Sequence, residues 1–166
     1  MDLAGRPVAL RAVEWERLFR PRGVVVVGAS ETEGSQQRAQ YLQIRDRLGA
    51  RGARIVPVHP TRATVLGDTA YASVAAVPDD VDVDVAVVLV RDPLPVVEEC
   101  AARGVGFCIV FSAGFGETGT DEGRAKQARI VELGRGAMRI IGPNTNMNIF
   151  EPWRDDLPGR KLAIVT

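Results

Sequence analysis

The run Val24–Ser35, Val-Val-Val-Val-Gly-Ala-Ser-Glu-Thr-Glu-Gly-Ser, constrains the fold more than any other part of the chain. Four consecutive valines read as a strand buried on both faces, the mark of an interior strand in a parallel sheet. Gly28 ends the run and permits a tight turn with close approach of another backbone or a ligand. Ser30, Thr32, Gly34 and Ser35 lead into Gln36–Leu48, where Tyr41, Ile44 and Leu48 fall at helical spacing. Strand, small-residue loop and helix start together offer free backbone N–H groups and a positive dipole end to an anion, commonly a phosphate.

The rest of the chain repeats that alternation. Gly23–Val27, Arg54–Val58, Val85–Val90, Phe107–Phe111 and Arg139–Ile141 read as strands. Gln36–Leu48, Pro93–Arg103 and Asp121–Leu133 read as helices between them, the middle one with Leu94, Val97 and Ala101 on one face. The expected architecture is α/β: a Rossmann-like, doubly wound, mainly parallel sheet with helices on both faces. Pro57 places the second strand at an edge or at its own end. Ala12–Phe19 reads as a short helix with Val13, Trp15, Leu18 and Phe19 partly buried, and Pro21 ends it. Leu66–Tyr71 reads as a turn with a brief strand at Thr69–Tyr71, and Ser73–Val77 as one helical turn capped by Ser73. Asp79–Asp84 reads as a solvated acidic approach to the next strand. The expected division is a helical lead-in over 1–22, one domain over 23–150, and a linker over 151–166. That last segment carries a strand at Leu162–Val165, either the first of a following domain or a closing strand at the edge of this sheet.

Composition narrows the function. With 166 residues and 46% hydrophobic content, one domain with a real core is expected. The 21 basic and 21 acidic residues cancel, which argues against nucleic acid as the main partner. No apolar run approaches the roughly 20 residues of a membrane span, and the N-terminus has no apolar signal core, so the expected location is the cytoplasm. Cys100 and Cys108, outside any CxxC, read as reduced core thiols. His59 is the single histidine, too few for a metal cluster built on imidazoles.

In an open parallel sheet the ligand sits outside the carboxyl ends of the strands. The loops there are Gly28–Gln36, His59–Arg62, Arg91–Pro93, Ser112–Gly116 and Gly142–Asn146. The first loop lacks G-x-G-x-x-G, and the second strand ends in Val58-His59-Pro60 with no acid for a ribose; both count against NAD. Arg62 puts a cation near that position, suited to the 2′-phosphate of NADP or to a phosphate of coenzyme A; it reads also as an ordinary solvated arginine. There is no Gly-x-Ser-x-Gly, and Ser30 and Ser112 lack a histidine partner, so no catalytic triad assembles. Glu117 is a lone loop carboxylate, a base or a structural group. No self-contained active site is expected.

An ordered set of short motifs carries a family resemblance from about Phe19 to Ile149. It comprises Val26-Val27-Gly28-Ala29-Ser30, Pro57-Val58-His59-Pro60, Gly67 with Ala70-Tyr71-Ala72-Ser73-Val74, and Val83-Asp84-Val85-Ala86-Val87. Ser112-Ala113-Gly114-Phe115-Gly116-Glu117-Thr118-Gly119 and Gly142-Pro143-Asn144 complete it. In these the chain resembles the coenzyme A-binding domain of the nucleoside-diphosphate-forming acyl-CoA synthetases, which include the α subunit of succinyl-CoA synthetase and the ADP-forming acetyl-CoA synthetases. The resemblance implies a module that binds CoA or acyl-CoA and is not catalytic alone. Its implied partners are further ligase domains or a β-type subunit, and the family's phosphorylated histidine belongs to a later domain. Within the shared Gly28-Ala29-Ser30 motif, the implied phosphate loop falls on Ser30 and on Gly34-Ser35-Gln36, and its basic residue on Arg62. The implied adenine wall falls on Val90-Arg91-Asp92-Pro93, and the pantetheine lining on Phe111-Ser112-Ala113 with Gly114 and Asn144 nearby. Three positions depart from the family pattern: Gln37 replaces a second glycine, Arg91 a common proline, and Thr145–Asn148 the Cys and Gly that usually follow Gly-Pro-Asn. The other readings are an NADP-binding oxidoreductase domain and a degenerate, non-binding regulatory module.

Overall fold

The computed structural model describes residues 13–145. Helix α1 (Trp15–Phe19) precedes strand β1 (Gly23–Val27), α2 (Gln36–Gly49) and β2 (Arg54–Val58). A small hairpin follows, β3 (Thr64–Val65) with β4 (Asp68–Thr69). Then come β5 (Val83–Val88), α3 (Leu94–Arg103), β6 (Phe107–Val110), α4 (Asp121–Gly134) and β7 (Arg139–Ile141). The main sheet has the order β2-β1-β5-β6-β7, and each neighbouring pair is parallel. This is the expected doubly wound α/β sheet, with β2 and its Pro57 at an edge.

All five residues of β1 are buried, as the valine run requires. Its side chains alternate between two cores. Val25 and Val27 join Val56, Val58, Ala86, Val88, Cys108 and Val110 under α3 and α4, which contribute Val97, Cys100 and Ile130. Val24 and Val26 join Val85, Val87, Phe107 and Ile109 under α2, which contributes Tyr41, Ile44 and Leu48. The helices thus cover both faces. Cys100 and Cys108 are buried free thiols, and hydrogen bonding with Cys100 and burial push the Cys108 thiol up.

The structure corrects the sequence reading at several places. The central strand starts at Val83 and ends at Val88, so Val90 lies beyond it. Asp84 is inside that strand and only 1% exposed, not part of a solvated loop. The register shifts where Gly23 pairs with Val83 and Val24 with Val85, leaving Asp84 as the extra residue of a bulge. Its carboxylate accepts from Arg17 Nε at 2.7 Å, from Arg22 N at 2.9 Å, and from Arg22 Nε at 3.0 Å and an Arg22 terminal nitrogen at 2.9 Å. Burial alone would raise its pKa; the two arginines outweigh it and hold the carboxyl at about 2.

Helix α1 is shorter than expected. Leu18 is its buried anchor, while Trp15 and Phe19 are 56% and 52% exposed, stacked on one another at 6.3 Å. A helix of five residues can turn only one side chain fully into the core. The brief strand expected at Thr69–Tyr71 is instead β4, and Tyr71 makes only an isolated bridge to Val58. Ser73 does close a turn, accepting from Ala76 N at 3.2 Å, but no helix forms. The strand over Phe107–Phe111 stops at Val110, and Pro93 sits at the cap position of α3 rather than within it. The segment read as a strand at Leu162–Val165 and the departures at 146–148 lie outside the described residues.

Removing Asp84 deletes its hydrogen bonds from Arg17 and Arg22, but both arginines are partly exposed and can turn to water, so Asp84→Ala is expected to lose about 2 kcal/mol of stability in urea unfolding at neutral pH. In the parent protein the carboxyl titrates lower folded than unfolded. Its contribution is therefore complete above about pH 4 and is lost as pH falls through about 2. The Ala variant should lack that segment of the stability–pH curve.

Candidate nucleotide-binding edge

After β1 the chain turns toward β2 at one side; β5, on the other side of β1, feeds β6 and β7. The carboxyl ends of β1 and β5 therefore flank the point where the winding reverses. Gly28 sits there with φ +88°. A Cβ on it would meet Val90 Cγ1 at 2.9 Å, so the glycine serves close packing of the two strand ends. Gly28 N donates to Val58 O at 3.1 Å and Leu89 N to Val27 O at 2.9 Å, tying the first loop to both neighbours. Ala29 behind it is fully buried and packs into the core beneath the loop.

The first loop is shaped by its own side chains. Thr32 N donates to Ser30 Oγ at 3.1 Å, and Ser35 Oγ donates to Thr32 O at 2.8 Å. Ser35 is the N-cap of α2, its hydroxyl also accepting from Arg38 N at 3.2 Å. The amides of Gln36 and Gln37 have no acceptor inside the helix and stay with the positive end of its dipole. Gly34, with φ +74°, leaves open space where a side chain would stand.

The far side of the edge is laced together. Ser112 Oγ donates to Val90 O, Phe111 N donates to Val88 O at 3.2 Å, and Asn144 N donates to Ser112 O at 3.0 Å. Gly142 has φ +104°, and a Cβ there would lie 2.4 Å from Val110 O, so this turn too depends on glycine. Between the two sides is a cavity of about 280 Å³ lined by Gln36, Gln37, Leu89, Phe111, Ser112 and Asn144. Gln37, the departure from a second glycine, is one of its walls.

Of the residues singled out from the sequence, Gln36, Phe111, Ser112 and Asn144 meet in this cavity, with Val90 bonded to Ser112 and packed against Gly28. Arg91 and Ala113 are exposed beside it, and Pro93 is buried at the start of α3. Gly114 is committed elsewhere: its N–H and that of Phe115 donate to the Glu117 carboxylate at 2.7 and 3.1 Å. Those backbone bonds, Gly114's first, hold the Glu117 carboxyl below its usual range. Glu117 is thus a loop latch, not a free base. Arg62 is half exposed, 49%, and is paired with Glu31 of the first loop, so it is neither a free cation nor an unattached surface arginine. Reading the sequence missed Glu31. Its signal was an acid and a base in the loops that follow two adjacent strands, a pairing that only the strand order makes visible.

Among the described residues no group of three or more potential ligands could hold a metal, and no helix is long and apolar enough to cross a membrane.

A parallel sheet of this order, open at its switch point against a helix start, defines a nucleotide-binding α/β domain. The family model described as a CoA binding domain matches residues 22–149, and the chain belongs to that family. Over 127 residues it is 35% identical to the α subunit of ADP-forming acetate–CoA ligase II of Pyrococcus furiosus, covering 76% of this chain and 27% of that one. Over 134 residues it is 36% identical to the ADP-forming acetate–CoA ligase of Methanocaldococcus jannaschii, covering 81% of this chain and 18% of that one. Among solved structures it is similar to dinucleotide-forming acetyl-coenzyme A synthetase 1 of Ca. Korarchaeum cryptofilum in complex with phosphate and ADP. The TM-score is 0.64 at 34% identity, covering 79% of this chain and 27% of that one. The chain thus spans about a quarter or less of the length of these relatives.

Cutting the latch should loosen its loop without unfolding the domain. Glu117→Ala is expected to speed amide exchange at Gly114 and Phe115 about tenfold or more, while core amides of β5 and β6 keep their protection.

Proposed function

We propose that this chain is the coenzyme A-binding module of a nucleoside-diphosphate-forming acyl-CoA synthetase, seating CoA or acyl-CoA along the carboxyl edge of its sheet. The observation that carries this reading is the cavity at the switch point, walled by the start of α2 on one side and by Ser112 and Asn144 on the other. At about 280 Å³ it is no larger than the lower end of pockets for drug-sized ligands, roughly 300–1,000 Å³. A molecule as long as CoA therefore lies across the edge with one segment in the hollow.

The diphosphate rests against the amides of Gln36 and Gln37, where helix dipole and unpaired N–H groups favour an anion. Ser30, Gly34 and Ser35 shape that approach, with Gly28 and Ala29 as its floor. Arg62 faces the phosphorylated ribose, the place where an arginine reads a sugar phosphate after the second strand. Val90, Arg91 and Pro93 border the adenine, and Ser112, Ala113, Gly114 and Asn144 border the pantetheine arm. The domain runs over residues 23–150, with 1–22 as lead-in and 151–166 leading toward a further ligase domain or β-type subunit that supplies the chemistry. The NADP reading draws no support from the relatives, and the first loop lacks the glycine pattern it needs.

Calorimetric titration tests this directly. Saturable one-to-one binding of CoA is expected, weakened about tenfold in Arg62→Ala, the equivalent of about 1.4 kcal/mol. Heat with NADPH and none with CoA would contradict it.

A further inference from the structure

Glu31 stands in the middle of the first loop, where an acid is out of place if the loop only receives an anion. Its carboxylate has two ties. One oxygen accepts from Leu66 N at 2.8 Å, and the other accepts from an Arg62 terminal nitrogen. The side chain therefore bridges the loop after β1 to Arg62, between β2 and β3, and to Leu66, in the turn between β3 and β4. The Leu66 amide is backbone at the end of β3, so that oxygen has a fixed seat; the second oxygen is what Arg62 leans on. A guanidinium has five N–H donors in a planar fork, and Glu31 engages one terminal nitrogen. The rest of the fork remains available on the half-exposed side of Arg62.

We infer that Glu31 is a positioning residue that orients Arg62 toward the phosphate on the ribose of the bound nucleotide, and so gives the site its preference for coenzyme A over the same molecule lacking that phosphate. The inference rests on the CoA reading above. An arginine on a loop loses much rotamer freedom when it grips a ligand. Glu31 imposes part of that order beforehand, and preorganisation of this kind appears as affinity for the group the fork meets. The carboxylate does not itself touch the ligand. Its effect should be confined to ligands that carry the ribose phosphate and should vanish when Arg62 is absent.

The test is a double-mutant cycle read by calorimetry with two ligands, CoA and dephospho-CoA, which lacks the 3′-phosphate. The variants are Glu31→Ala, Glu31→Gln, Arg62→Ala and the Glu31→Ala/Arg62→Ala pair. Glu31→Gln keeps an acceptor for Leu66 N but loses the charge, so it remains informative should the alanine variant unfold. Glu31→Ala is expected to weaken CoA about three- to tenfold and to change dephospho-CoA by less than about twofold. Glu31→Gln should show the same selective loss at smaller size. The double variant should bind CoA no more weakly than Arg62→Ala alone. Tighter CoA binding in Glu31→Ala would overturn the inference, because the carboxylate would then be a competitor of the phosphate. Equal losses for both ligands would overturn it too, because Glu31 would be holding the loop and not the arginine. Failure of the underlying reading is distinct: the parent protein would bind neither ligand.

Discussion

Everything at the candidate site follows from β1 being buried on both faces and paired on both edges. A strand with β2 on one side and β5 on the other cannot send both following connections the same way. The chain leaves β1 through α2 to reach β2, and it leaves β5 through α3 to reach β6. The loops after β1 and β5 therefore part above the sheet, and a hollow opens between them. Glycine at position 28 lets the two strand ends close up beneath that hollow, against Val90. The result is a rigid floor with a helix start on one wall, and a helix start is a fixed source of anion-binding amides.

The two ends of the sheet solve opposite problems. At the amino end the buried Asp84 is matched by Arg17 and Arg22, and charge is neutralised within the fold. That cluster also binds the turn after α1 to the central strand, with Leu18 filling the core beside it. At the carboxyl end, hydrogen bonds join loop to loop, Ser112 to Val90 and Asn144 to Ser112, and close the loop after β6 on itself, Gly114 to Glu117. They use up some donors that the loops would otherwise show to a ligand. What stays open is concentrated at the start of α2 and at Arg62.

The strands and helices were legible because their patterns are strong. Val24–Val27 and the Tyr41, Ile44, Leu48 stripe fixed elements that the structure reproduces nearly residue for residue. Legibility failed where a contact distant in sequence decided the outcome. Asp82 and Asp84 look alike on the page, yet Asp84 is buried because a bulge and two arginines more than 60 residues upstream receive it. Val13, Trp15, Leu18 and Phe19 all look equally, partly buried on the page, yet Leu18 alone goes fully into the core while Trp15 and Phe19 stay more than half exposed. Glu31 and Arg62 become a pair only once β1 and β2 are known to be neighbours. The five carboxyl-end loops were identifiable beforehand; how their donors and acceptors are spent was not.

Family membership makes coenzyme A the ligand to expect, and the geometry makes the carboxyl edge the place to look. A rival location exists: a cavity of about 240 Å³ at the opposite end of the sheet, lined by residues including Arg17, Gly106, Phe107 and Arg139. Backbone amide chemical shifts, followed by NMR while CoA is added, choose between them most directly. Binding at the carboxyl edge predicts the largest shifts at Gly28–Gln37, Ser112 and Asn144, with Gly106 and Arg139 unmoved. Shifts clustered at Arg17, Gly106 and Arg139, with the first loop silent, would contradict it.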